Sequence, residues 1–171
     1  MKETILVTGG TGFIGSHTTV ELQNAGYDVV IVDNLSNSRE DVIDGIEKIT
    51  GIRPAFEKVD LRDFDATEAV FKKYPQISGI IHFAASKAVG ESVEKPLLYY
   101  RNNIVSLINL LELMPKYNVK GIIFSSSCTV YGQPDQLPAT EETPIKKAES
   151  PYGNTKQINE EIIQDTVASG S

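Results

Sequence analysis

Sulfur and imidazole are scarce in this chain. A single cysteine, Cys128, leaves no second thiol for an intramolecular disulfide, and with only His17 and His82 beside it no zinc-ligand spacing exists. Positive charge is also short. Sixteen Lys and Arg against 23 Asp and Glu leave a net charge of −7, which argues against nucleic acid or an anionic membrane as the main partner. A phosphate ligand stays compatible with that charge, because backbone N–H groups and helix N-termini bind phosphate locally. No apolar run approaches membrane-spanning length. The start offers no signal peptide, only a short apolar run after Lys2 and Glu3 that ends in glycines. The expectation is a cytoplasmic protein with no nucleic-acid and no membrane partner.

What is present is enough for one core. The 171 residues are 40% hydrophobic and 23% charged, and one domain over residues 1–171 is expected. Short β-rich runs fall at 4–10, 28–34, 54–60, 79–85 and 121–127. Helix-like stretches lie near 13–25, 38–50, 64–74, 96–117 and 151–168. Strands that are almost wholly apolar need cover on both faces, so the alternation predicts an α/β fold, an open doubly wound parallel sheet of Rossmann-like type with helices on both faces. The segment 132–150 is rich in proline and charge and is expected to be a solvated loop. The stretch 96–117 carries apolar residues around more than one face, Leu107, Leu111 and Met114 beside Leu98, Ile108 and Leu113. A surface helix needs only one such stripe, so the second points to another part of this chain, a missing domain or a second copy, with simple deep burial as the plainer reading; of these a homodimer is favoured.

"LVTGGTGFIG" places Gly9, Gly12 and Gly15 directly after the first strand and at the opening of a helix. Gly9 permits a tight turn, Gly12 a close backbone approach to a pyrophosphate, and Gly15 close helix packing; a dinucleotide at the helix N-terminus follows. Asp33 ends the second strand where an acid should meet the ribose hydroxyls, which favours NAD over NADP, although Arg39 a few residues on leaves room for some NADP tolerance. Asp60 ends the third run and either reaches the adenine or caps the next helix.

"SPYGNTK" (150–156) opens a helix, with Ser150 as cap and Pro151 in the first turn. Tyr152 and Lys156 then share one face. A neighbouring ammonium, a helix N-terminus and a cationic nicotinamide each favour phenolate, so Tyr152 is a candidate acid/base for a sugar hydroxyl. "SSSCT" after the fifth run presents Ser125, Ser126, Ser127 and Thr129 at the ligand edge of the sheet.

With these motifs, and with "IHFAASKAVGESVEKPLLYYRNNI" and "FSSSCTVYG", the chain from Ile5 to about Ile163 resembles the extended short-chain dehydrogenase/reductases and, within them, the UDP-glucose 4-epimerase family. The resemblance implies an isomerase that interconverts UDP-galactose and UDP-glucose by reversible oxidation at sugar C4 with NAD. It implies Tyr152 as acid/base, Lys156 at the nicotinamide ribose, and Ser127 on the reacting hydroxyl. Gly9, Gly12, Phe13, Ile14, Gly15, Asp33, Asn34, Asp60, Leu61, Phe83, Ala84, Ala85, Lys87, Asn102 and Ser125 would also hold the cofactor. Lys87, Ser127, Thr129 and Tyr152 would face substrate. A homodimer through helices 96–117 and 151–168 is likewise implied.

Departures are few. "FAASK" stands where "FAGLK" or "FAALK" is common in the family, and Cys128 replaces a usual alanine, where it reads as a small buried residue. His82 reads as a core histidine and His17 as a packing or capping residue. A sugar-nucleotide 4,6-dehydratase is the alternative enzyme, but that family typically has an Asp-Glu pair where this chain has Cys128 and Thr129. A noncatalytic NAD-binding module is the alternative from another class. The family continues with a smaller domain that holds the uridine diphosphate and sugar, so this chain is expected to be an N-terminal portion with low or no turnover.

Overall fold

The computed structural model describes residues 2–170. Five strands, β1 (Thr4–Thr8), β2 (Asp28–Asp33), β3 (Ala55–Lys58), β4 (Ile77–His82) and β5 (Gly121–Phe124), form one sheet in the order β3-β2-β1-β4-β5, and every pairing is parallel. The helices are α1 (Phe13–Asn24), α2 (Val42–Thr50), α3 (Phe64–Lys73), α4 (Val89–Glu94), α5 (Pro96–Lys116) and α6 (Pro151–Ala168), with a 3-10 turn at Cys128–Tyr131. The fold is the expected Rossmann-like α/β arrangement.

By contacts the chain divides into two compact units, Met1–Ala84 with Ile108–Ser125, and Ala85–Leu107 with Ser126–Ser171. The first holds the whole sheet. Alternating side chains of β1 and β2 feed two separate cores. Leu6, Val30 and Val32 pack with Val70 and Phe71 of α3 and Leu110 and Leu113 of α5. Val7, Val29 and Ile31 pack with Ile43 and Ile46 of α2. A strand buried on both faces has no use for a polar alternate, which is why β2 reads VVIV. The second unit comprises α4, the first half of α5, the 3-10 turn and α6.

Several boundaries differ from the sequence expectation. Residues 121–127 form a strand only to Phe124; Ser125 N still donates to His82 O (3.2 Å), and beyond it Ser126 bonds Glu160 and Ser127 caps the 3-10 turn instead of continuing a ladder. The third strand ends at Lys58 and α2 begins only at Val42. Helix α4 was not expected. Lys95 (φ −130°, ψ 57°) separates it from α5; it precedes Pro96, and a following proline disfavours the helical region for the residue before it. Met114 of α5 packs on the core instead of facing outward, whereas Leu97, Leu98 and Ile108 are exposed. Cys128 is exposed, not buried, since the 3-10 turn turns Val130 inward in its place.

Candidate functional site

In the first unit, the order of strands reverses direction between β1 and β4, the place where open α/β sheets hold ligands beyond their carboxyl ends. The glycine loop leaves β1 at that edge. Gly9 has φ +68°, and a Cβ on it would lie 2.8 Å from Ala84 N, so both backbone conformation and space demand glycine. A Cβ on Gly15 would run into the carbonyl oxygen of Gly9 and come within 2.8 Å of Gly10 Cα. Gly12 differs: its φ is −74°, and its nearest neighbour would be Gly9 O at 3.1 Å. No side chain caps α1 there, so the N–H groups of its first turn, at Phe13, Ile14 and Gly15, face a ligand's place without a side-chain competitor. Phe13 and Ile14 themselves are exposed. Gly10 was not singled out from sequence, yet a Cβ on it would sit 2.6 Å from Ile31, which ties the loop to β2.

Asp33 is held rigidly. Its Oδ1 accepts from Leu35 N (2.9 Å) and Ser38 Oγ (2.9 Å), and its Oδ2 from Thr11 N (3.3 Å). Thr11 Oγ1 in turn donates to Ser38 Oγ (2.8 Å). Of the roughly four lone-pair sites of a carboxylate, one on Oδ2 is left for a ligand hydroxyl. Asn34 and Asp60 line a second groove with Ser36, Lys58, Val59 and Arg62. Asp60 does not cap α3; Asp63 does, accepting from Ala66 N. Asp60 instead accepts from the backbone N–H and the guanidinium of Arg62, which holds its carboxyl below the usual range. Leu61 has its side chain in the core and its carbonyl taken by Asn109 Nδ2 (2.7 Å), so any ligand contact it makes is through its N–H. Phe83 and Ala84 extend β4 by donating to Thr8 O (3.1 Å) and Thr8 Oγ1 (3.3 Å). His82 is a buried core histidine, hydrogen-bonded through Nδ1 to Thr8 Oγ1 at 2.6 Å. His17, exposed, bonds to Phe13 O (2.8 Å) and packs against the Phe13 ring.

In the second unit, Ser150 Oγ accepts from Gly153 N (3.1 Å) and starts α6 as expected. Gly153 lets the 3-10 turn lie against that first turn: a Cβ there would come 3.2 Å from Thr129 Oγ1. Ser127 caps the 3-10 turn, its Oγ accepting from Thr129 N (3.3 Å) and Thr129 Oγ1 (3.0 Å). Ser127, Thr129 and the Tyr152 turn are thereby brought together. Lys156 Nζ lies 6.0 Å from the centre of the Tyr152 ring. Lys156 is buried to 4% exposure, and that burial pushes its pKa down from 10.5 to about 8, with the charge of Glu160 opposing. Glu160 is itself held by the Ser126 hydroxyl.

A polar network fixes the segment 85–88 near this turn. Asn102 Nδ2 donates to Ser86 Oγ (3.1 Å); Asn103 accepts from Ser86 N (2.8 Å) and donates to Ser86 O (3.0 Å) and Thr155 Oγ1 (3.0 Å). Thr155 Oγ1 donates to Tyr152 O (2.7 Å). Ala85 is half-buried and Lys87 exposed on this segment. Asn103, buried to 1%, escaped the sequence reading; a second asparagine in "YYRNN" is its only trace.

Residues 5–171 match the model of the NAD dependent epimerase/dehydratase family. The chain is 51% identical to UDP-glucose 4-epimerase 2 of Arabidopsis thaliana, across 100% of this chain and 49% of that protein. It is 55% identical to a UDP-glucose 4-epimerase of Schizosaccharomyces pombe, across 95% of this chain and 46% of that one. Among solved structures, the UDP-glucose 4-epimerase of Bifidobacterium longum in complex with NAD+ and UDP superposes with a TM-score of 0.94 at 51% identity, covering 97% of this chain and 49% of that one. The chain thus spans about half the length of the curated relatives it matches. The chain belongs to the NAD dependent epimerase/dehydratase family.

Proposed function

We propose that this chain carries the dinucleotide-binding and proton-transfer part of a UDP-glucose 4-epimerase, acting on UDP-galactose and UDP-glucose with NAD. The observation that carries the reading is the turn that joins Ser127 and Thr129 to the helix bearing Tyr152 and a buried Lys156. The first unit fits the cofactor: the uncapped α1 N-terminus suits a diphosphate, and Asp33 keeps one acceptor site for a ribose hydroxyl.

When bound, NAD supplies a reversible hydride acceptor for the sugar C4. The chain's own residues move the proton. Tyr152 takes it from the sugar C4 hydroxyl and returns it, while Ser127 orients that hydroxyl. Lys156, still mostly an ammonium at neutral pH with a pKa near 8, stabilises phenolate character on Tyr152 and binds the nicotinamide ribose. Lys87 and Asn102 complete the cofactor side and Thr129 the substrate side.

Incubation with UDP-galactose and NAD, followed by NMR of the sugar nucleotides, tests the reading. UDP-glucose as product supports it, and Tyr152→Phe should then lower the rate at least a hundredfold. A 4-keto-6-deoxy product assigns a dehydratase instead, and NAD binding without turnover that Tyr152→Phe leaves unchanged would favour a noncatalytic binding module.

A second copy of the chain is proposed to cover α5 and α6. Leu97, Leu98 and Ile108 of α5 are exposed by 80%, 41% and 37%. Ile108→Glu should halve the mass seen by light scattering, and an unaltered mass argues against this surface.

A further inference from the structure

The groove beside Asp33 holds a cation that is already engaged. This open groove, of about 400 Å³, runs between the glycine loop and the segment before α2, and Thr11, Ser38 and Arg39 all line it. Thr11 and Ser38 are two of the three residues that bond to Asp33, Leu35 being the third, so the groove lies beside that carboxylate. Arg39 is the one cationic residue in its lining. Its Nε donates to Asp41 Oδ1 (3.2 Å) and its Nη2 to Asp41 Oδ2 (2.7 Å), a two-pronged pair. Asp41 stands at the N-cap of α2, where a carboxylate would ordinarily accept from the helix N–H groups, yet it makes no such bond. Its carboxylate is turned to Arg39 instead.

An adenosine whose ribose meets Asp33 puts its 2′ position at the mouth of this groove. A phosphate there would stand beside the Asp33 carboxylate and would need a cation to offset the repulsion. We propose that Asp41 is a specificity-determining residue. By engaging the guanidinium of Arg39, it withholds from a 2′-phosphorylated dinucleotide the cation that the groove could offer, and so reinforces the choice that Asp33 makes. The inference rests on the dinucleotide reading above and adds to it the residue that sets the strength of discrimination.

The magnitude is bounded by exposure. Arg39 and Asp41 are both open to solvent, and an exposed ion pair is a weak competitor that salt screens. Releasing Arg39 therefore changes preference by a modest factor, and most visibly where Asp33 no longer repels the phosphate.

Calorimetric titration with NAD and with NADP tests this at low ionic strength, with NAD as the internal reference. In an Asp33→Asn chain, adding Asp41→Asn should lower the ratio of the NADP to the NAD dissociation constant about fivefold, the scale of an exposed charge pair. Adding Arg39→Ala should reverse the gain, and raised salt should shrink it. An unchanged ratio while NAD still binds overturns the role of Asp41 alone, as does a gain that survives loss of Arg39. If the unsubstituted chain binds neither dinucleotide, the cofactor reading fails and this inference with it.

Discussion

Lys156 puts a charge where the fold would rather have none. At 4% exposure its ammonium has lost most of its water, and its pKa falls to about 8 from 10.5. The sign follows from proton binding. Between pH 8 and 10.5 the unfolded chain holds a proton at this site that the folded chain has released, so the stability contributed here rises with pH across that window. Below pH 8 the charged lysine costs the fold about 3 kcal/mol, the free-energy equivalent of that displacement, in which the opposing charge of Glu160 is already counted. A Lys156→Met chain should accordingly be more stable than the parent near pH 7 in urea denaturation. Equal or lower stability would mean that the hydrogen bonding of the ammonium outweighs its desolvation.

Among the elements, the glycine loop and α1 separate two kinds of glycine. Gly15 abuts backbone of the loop, which cannot give way, so Gly15→Ala should destabilise by roughly 1–3 kcal/mol and weaken NAD binding together. Gly45, inside α2, has open space around its missing Cβ, and Gly45→Ala should raise stability by about 0.5–1 kcal/mol with NAD binding unaltered. Urea titration beside calorimetry checks the pair; similar effects at both positions would show that helix propensity, not packing, governs Gly15. The contrast also explains how far the sequence could be read. Gly9 and Gly15 were legible because their spacing follows from one turn into one helix, and β2 was legible because burial on both faces leaves an unbroken apolar run. Helix α4 and the 3-10 turn were not, since six and four residues carry too little periodicity to register. Asn103 and Asp41 were illegible for another reason. Their roles lie in partners, Ser86 and Thr155 for one and Arg39 for the other, and an asparagine beside an asparagine or an aspartate at a helix start has an ordinary local use that conceals the tertiary one.

Over the whole molecule, an excess of acid meets a shortage of base, and the carboxylates that find cations matter more than their number suggests. Glu68 of α3 is held by Lys116 of α5 and by Lys72 one turn along, which lowers its pKa from 4.5 to about 2. Asp60 is lowered by Arg62, and Glu91 by Tyr99 and Lys95. Glu57 is lowered as well, the hydrogen bonds from Lys73 and Tyr74 prevailing over the burial that would raise it. A depressed carboxyl stabilises the fold above its unfolded pKa and stops doing so as pH falls through its folded one, because the unfolded chain takes up protons that the native chain refuses. Stability should therefore hold from neutral pH down to about 5 and decline steadily from there toward pH 2. Most of these pairs are exposed enough for salt to screen them, so the partly shielded Glu68 should account for a disproportionate share of the slope. Denaturation midpoints of the parent and of Glu68→Gln, taken at several pH values between 6 and 3, decide it. The substituted chain should start less stable and lose less on acidification, the gap narrowing toward pH 3 and closing only near the folded pKa of about 2. Parallel decline of the two would place the acid sensitivity elsewhere, in the general relief of charge across the surface and not in the bridge between α3 and α5.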